Sequence, residues 1–127
     1  MYEAASARTA RLLVVEDDDA LRSAMVRCLT REGFQVTSVA TGADAVEMAR
    51  ALRPDAAIIY VVLPDAGGLG IARAMRRERD LASLPVLFTT ALSLPSVREA
   101  LSPAPVLFKP FTRGQLVKLV REVTRAA

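Results

Sequence analysis

Pro54-Asp55-Ala56-Ala57-Ile58-Ile59-Tyr60-Val61-Val62-Leu63-Pro64 is the stretch that decides the fold. A proline and an aspartate open it. An apolar run from Ala56 to Val62 follows, with one phenol, Tyr60, inside it. A short apolar run bounded by turn residues reads as a strand buried on both faces. It is expected to be the central strand of the molecule, with Tyr60 near its carboxyl end. In an open parallel sheet that end lines the functional crevice.

Composition bounds what surrounds this strand. The chain has 127 residues, the length of one ordinary domain, and 52% of them are apolar. That is enough for a core of Val, Leu, Ile and Ala, since Trp is absent. No apolar run approaches the roughly 20 residues of a membrane span, so no membrane partner is expected. Residues 1–10 lack the apolar core of a secretion signal and read as a flexible polar tail before a domain over 11–127. A single cysteine, Cys28, excludes an internal disulfide and fits a cytoplasmic protein. The absence of His removes His-based metal sites and His general bases, and one Cys cannot build a zinc site. Lys and Arg number 17 against 14 acids, for a net charge of +3. Charges that nearly cancel read as a solvated surface, so no direct nucleic-acid contact is expected.

The remaining elements fall in order. Arg11-Leu12-Leu13-Val14-Val15 is the first strand, and Glu16-Asp17-Asp18-Asp19 follows at once. Leu21, Met25, Cys28 and Leu29 recur at helical spacing. Asp18 or Asp19 can cap that helix, and Gly33 ends it. Residues 34–39 alternate as a strand. Thr41-Gly42-Ala43-Asp44 resembles a capping box for a helix from Ala45 to Leu52, which Pro54 stops. Beyond the central strand come a turn-rich loop and a helix from Leu69 to Arg79, with Arg73, Arg76, Arg77 and Arg79 on its outer side. A strand at 85–90, a short helix at 96–101, a strand at 106–108 and a last helix capped by Thr112 complete the chain. Leu116, Val117, Val120 and Val123 give that last helix its apolar side. Five strands alternating with five helices argue for a parallel sheet covered on both faces. Its carboxyl edge would gather Glu16, Asp17, Tyr60, Thr90 and Lys109.

Leu12-Leu13-Val14-Val15-Glu16-Asp17-Asp18, the stretch from Pro54 to Pro64 with Gly67-Gly68-Leu69, Pro85-Val86-Leu87-Phe88-Thr89-Thr90-Ala91, and Phe108-Lys109-Pro110-Phe111 stand in one order. Together they resemble the receiver domain of two-component response regulators, from Arg11 to the end. The resemblance implies a doubly wound, flavodoxin-like (βα)5 fold of α/β class with strand order 2-1-3-4-5. It implies an acidic pair, Glu16 and Asp17, that binds Mg²⁺. It implies an aspartate at the end of the third strand that takes a phosphoryl group from a histidine kinase. Thr90 and Lys109 would then hold the phosphoryl oxygens and report their arrival, and the Lys109-Pro110 bond would be cis. The chemistry is coherent, because a hard cation needs clustered carboxylates and phosphoryl charge needs Mg²⁺, Lys and hydroxyl donors.

The chain departs from that pattern where it matters most. The phosphoacceptor position holds Tyr60. A phenol is neutral at neutral pH, is a poor Mg²⁺ ligand and cannot form an acyl phosphate. Asp55 lies before the strand, about 16 Å from Tyr60 at about 3.3 Å per residue, and Asp65 lies in the loop beyond Pro64. Val106 stands three positions before Lys109, where many receivers carry a switching aromatic. The expected function is a receiver domain of a phosphorelay that acts as a protein-interaction module without phosphorylation and is not an enzyme. Its partner is a histidine kinase or a downstream signalling protein, with a homodimer through the fourth helix, fifth strand and last helix using Arg98, Arg113, Lys118 and Arg121. Mg²⁺ at Glu16 and Asp17 is expected to be weak or vestigial. Tyr60 is expected to point into the crevice and bond through its hydroxyl to Glu16, Asp17, Thr90 or Lys109. Three alternatives stay open: phosphorylation at another or a modified residue, a haloacid-dehalogenase-like phosphatase using Asp17 and Asp19, and flavin binding, which the acidic first loop disfavours.

Overall fold

The computed structural model describes residues 9–62, 67–91 and 95–126. Along them β1 (Arg11–Val15), α1 (Asp19–Arg31), β2 (Gln35–Val39), α2 (Gly42–Leu52), β3 (Ala56–Tyr60), α3 (Gly68–Arg76), β4 (Val86–Thr90), α4 (Pro95–Leu101), β5 (Val106–Phe108) and α5 (Arg113–Ala126) alternate, with a 3-10 turn at Arg79–Leu81 before β4. The strands form one sheet in the order β2-β1-β3-β4-β5, and every pairing is parallel. This is the doubly wound α/β architecture that the alternating pattern predicts.

Side chains alternate across each strand, so the sheet has two cores. Leu13, Val15, Ala57, Ile59, Val86 and Phe88 pack with α2 and α3 on one face. Leu12, Val14, Ala56, Ile58 and Leu87 pack with α1 and α5 on the other. β3 sits between β1 and β4, and its residues Ala56 to Ile59 are fully buried. Cys28 is half-buried against the second core. Burial pushes its thiol pKa up, against the lowering pull of Arg113.

Several boundaries move, each for a local reason. The Thr41 hydroxyl accepts from the Asp44 amide at 3.2 Å, so α2 starts at Gly42 instead of Ala45. α3 stops at Arg76, short of Arg79, because the chain tightens into the 3-10 turn. β3 ends at Tyr60, and Val62 is 52% exposed, so the apolar run leaves the sheet before it ends. α1 closes as expected at Gly33, whose φ of 97° is easy only for glycine. The Phe34 amide reaches back to the Leu29 carbonyl and the Gly33 amide to Thr30, a Schellman closure. At α5 the Thr112 hydroxyl accepts from the Gln115 amide, and the Gln115 side chain accepts from the Thr112 amide, a reciprocal capping box.

Of the expected tail, residues 1–8 lie outside the described residues. The Ala10 carbonyl already accepts from the Gln35 amide at 3.0 Å. Among the described residues no helix is long and apolar enough to cross a membrane.

Candidate functional site

Glu16 follows β1 directly, and its amide donates to the Val39 carbonyl at 3.1 Å. That extension of the β1 ladder carries the side chain into the molecule, where Glu16 is 1% exposed. A carboxylate so buried must be paired. Its Oε1 accepts from Lys109 Nζ at 2.8 Å, and its Oε2 from the Asp18 amide at 3.1 Å. Lys109 comes one residue after β5 and is placed by its own amide, which donates to the Thr90 carbonyl at 2.8 Å. The Lys109-Pro110 bond is cis.

The same ammonium lies 3.3 Å from the centre of the Tyr60 ring. Tyr60 is the last residue of β3, paired with Thr89 of β4. Its carbonyl is covered by the start of α3. Gly68 donates to the Val61 carbonyl at 2.7 Å, and a Cβ on Gly68 would stand 2.4 Å from the Tyr60 oxygen. Only glycine lets the helix come this close to the strand end. One ammonium thus joins the ends of β1, β3 and β5. Among the described residues the Tyr60 hydroxyl makes no hydrogen bond of the expected kind, and Lys109 meets the ring face instead. A cation is drawn to an aromatic face, and Tyr60 is only partly buried, so its hydroxyl does not carry the full penalty of an unpaired buried group.

The other acidic residues separate. Asp17 is exposed, so the expected pair is one buried and one solvated carboxylate. Asp18 caps α1 by accepting from the Leu21 amide at 3.0 Å. Asp19 is exposed and bound by Arg22 Nη2 at 2.6 Å. Arg22 Nη1 also donates to the Glu16 carbonyl at 2.9 Å. That organising role of Arg22 was missed in sequence, although its place three residues after Asp19, in the first turn of a helix, is the spacing of an ion pair. Thr90 ends β4 fully buried, opposite Phe108 of β5. Arg98 of α4 covers the Phe108 ring at 4.8 Å. Asp55 is held at the opposite edge of the sheet, where its Oδ2 accepts from the Arg11 amide at 2.7 Å. Asp65 lies outside the described residues.

A resident Mg²⁺ does not fit this donor set as it stands. Both Glu16 oxygens are engaged and one faces an ammonium. No group of three or more acidic, Cys or His residues clusters among the described residues, whereas a hard cation needs several oxygen ligands.

The response regulator receiver domain family matches residues 12–121. This chain belongs to that family. As a receiver domain it is a signalling module of two-component systems. It is 36% identical over 118 residues to the response regulator MprA of Mycobacterium ulcerans, covering 91% of this chain and 50% of that protein. It is 34% identical over 125 residues to the transcriptional regulatory protein GltR of Pseudomonas aeruginosa, covering 96% of this chain and 52% of that one. The chain therefore spans about half the length of these curated relatives. Among solved structures it resembles the chemotaxis protein CheY4 of Vibrio cholerae, with a TM-score of 0.86, 27% identity and coverage of 91% and 99%. It also resembles the receiver domain of the sensor histidine kinase PA1611 of Pseudomonas aeruginosa, whose active-site cleft coordinates a magnesium ion, with a TM-score of 0.85, 28% identity and coverage of 93% and 99%. The phosphatase alternative falls with the family match and with Asp19 tied to Arg22.

Proposed function

We propose that this receiver domain acts as a protein-interaction module of a two-component phosphorelay without taking up phosphate. The observation that carries this is the Lys109 ammonium, held between the Glu16 carboxylate at 2.8 Å and the Tyr60 ring at 3.3 Å. Tyr60 stands where the family pattern has its phosphoaccepting aspartate, and a phenol offers no carboxylate to form an acyl phosphate. Lys109 and Thr90, the switch pair of the pattern, are fixed without a phosphoryl group, Lys109 by an internal counter-charge and Thr90 by full burial. Glu16 and Asp17 without a third carboxylate would hold Mg²⁺ at about millimolar affinity or weaker.

The partner is a histidine kinase or a downstream signalling protein of the cytoplasm, recognised in the single state that the lock imposes. Self-association, where it occurs, uses α4, β5 and α5. Of the basic residues there, Arg98 is committed to Phe108 and Arg121 to Glu32 at 2.6 Å, which leaves Arg113 and Lys118 as the freer contacts. No direct nucleic-acid contact is assigned to this domain. The test is incubation with Mg²⁺ and a small acyl or amidophosphate donor, followed by intact-mass measurement. The expected result is an unmodified mass. A stoichiometric phosphoprotein, at whatever residue, overturns the proposal.

A further inference from the structure

We propose that the amino-terminal edge of the sheet, opposite the crevice, is a docking surface for an acidic polypeptide segment that also carries apolar side chains. Two independent features meet there. The first is a row of arginines. Arg73 and Arg76 stand three positions apart at the end of α3, Arg77 is the residue that caps it, four positions after Arg73, and Arg79 follows in the 3-10 turn. All four are exposed. Among the described residues none of them has an acidic partner. Two of the nearby acids are already taken, Glu78 by Arg50 at 2.7 Å and Asp80 by Arg53 at 2.9 Å. Four exposed guanidinium groups with no acidic partner among the described residues give this edge a locally positive character. Local charge of one sign steers and selects an oppositely charged partner.

The second feature is an open groove of about 670 Å³ whose wall includes Arg76. Its floor is apolar, made by Pro85, Pro103, Pro105, Leu119 and Val123 from the starts of β4 and β5 and the end of α5. Ser83 and Glu122 also line it. The groove decides between anions. A nucleic-acid backbone would use the arginines and leave the apolar floor idle. A polypeptide with carboxylates for the arginines and aliphatic side chains for the floor satisfies both. Arg76, shared by the two, fixes their register. This surface is separate from the Glu16, Lys109 and Tyr60 cluster, so it stands or falls independently of the phosphorylation experiment.

The test uses a labelled soluble peptide of glutamates interspersed with leucines, and the same peptide with every glutamate changed to glutamine. Binding is followed by fluorescence anisotropy and mapped by amide chemical shifts. The glutamate peptide should bind, more weakly as salt rises, and perturb α3 together with the starts of β4 and β5. The triple variant Arg73→Glu, Arg76→Glu, Arg77→Glu should weaken it at least about tenfold. Ser83→Trp, which fills the groove without altering charge, should weaken it too. Arg27→Glu with Arg31→Glu, on the far side of the sheet, should not. Absence of binding, equal binding of the glutamine peptide, or perturbation elsewhere overturns the proposal. So does a surface on which duplex DNA binds and Ser83→Trp has no effect, which would be a bare phosphate site. A dimer that Ser83→Trp dissolves would assign the groove to a second copy and overturn it likewise.

Discussion

The two edges of the sheet handle charge in opposite ways. At the carboxyl edge the strands end deep in the molecule, and the buried Glu16 has its Lys109. At the amino edge Arg73, Arg76, Arg77 and Arg79 stand in solvent, with no acidic partner among the described residues, beside an open apolar groove. Depth explains the contrast. A charge 1% exposed cannot stay unpaired without a cost of several kcal/mol, while an exposed guanidinium is stabilised by water and remains available to another molecule. An edge closed upon itself suits a locked switch, and an edge left open suits a docking surface.

That contrast predicts a graded series of effects. Lys109→Met should be the most damaging, because it strands the Glu16 carboxylate. A loss of about 3–5 kcal/mol is expected in urea unfolding, and a loss below about 1 kcal/mol would mean that the pair is not truly buried. Gly68→Ala should come next, at about 1–3 kcal/mol, since its new methyl would collide with the Tyr60 carbonyl and the strand end would have to move. Thermal denaturation unchanged from the parent would show that α3 can simply slide away.

Tyr60→Leu removes the ring contact with Lys109 while keeping an apolar side chain against the first core, and should cost about 0.5–2 kcal/mol. Tyr60→Asp at the same place is more informative. It adds a carboxylate beside Glu16, so it should lower stability without metal through like-charge repulsion and raise Mg²⁺ affinity at least about tenfold. Calorimetric titration reads both, and an affinity equal to the parent's would show that the pocket has changed beyond that one residue. At the other edge, Arg76→Glu should move stability by no more than about 0.5 kcal/mol. A larger loss in chemical denaturation would mean that Arg76 holds the fold together and is not spare for a partner.

The sequence by itself determined the alternation of strands and helices, the burial of β3, a cap at Asp18 or Asp19 and the cap at Thr41, because these depend on neighbours a few residues away. Asp18 bonds to the amide three positions on, and Thr41 does the same. Such contacts are encoded by spacing alone. The family pattern also marked Glu16, Tyr60, Thr90 and Lys109 as residues of one crevice. What spacing could not decide was how they engage one another. Glu16 and Lys109 are 93 positions apart, and their ion pair exists because parallel crossovers bring the carboxyl ends of β1 and β5 to the same edge of the sheet, on either side of the end of β3. Whether Tyr60 would offer its hydroxyl or its ring face depended on where that ammonium came to rest. The groove at the far edge is equally non-local. Its floor comes from the starts of two strands and the end of α5, and no one of these segments carries its shape. Only the assembled sheet, with helices folded back along both faces, sets those surfaces against each other.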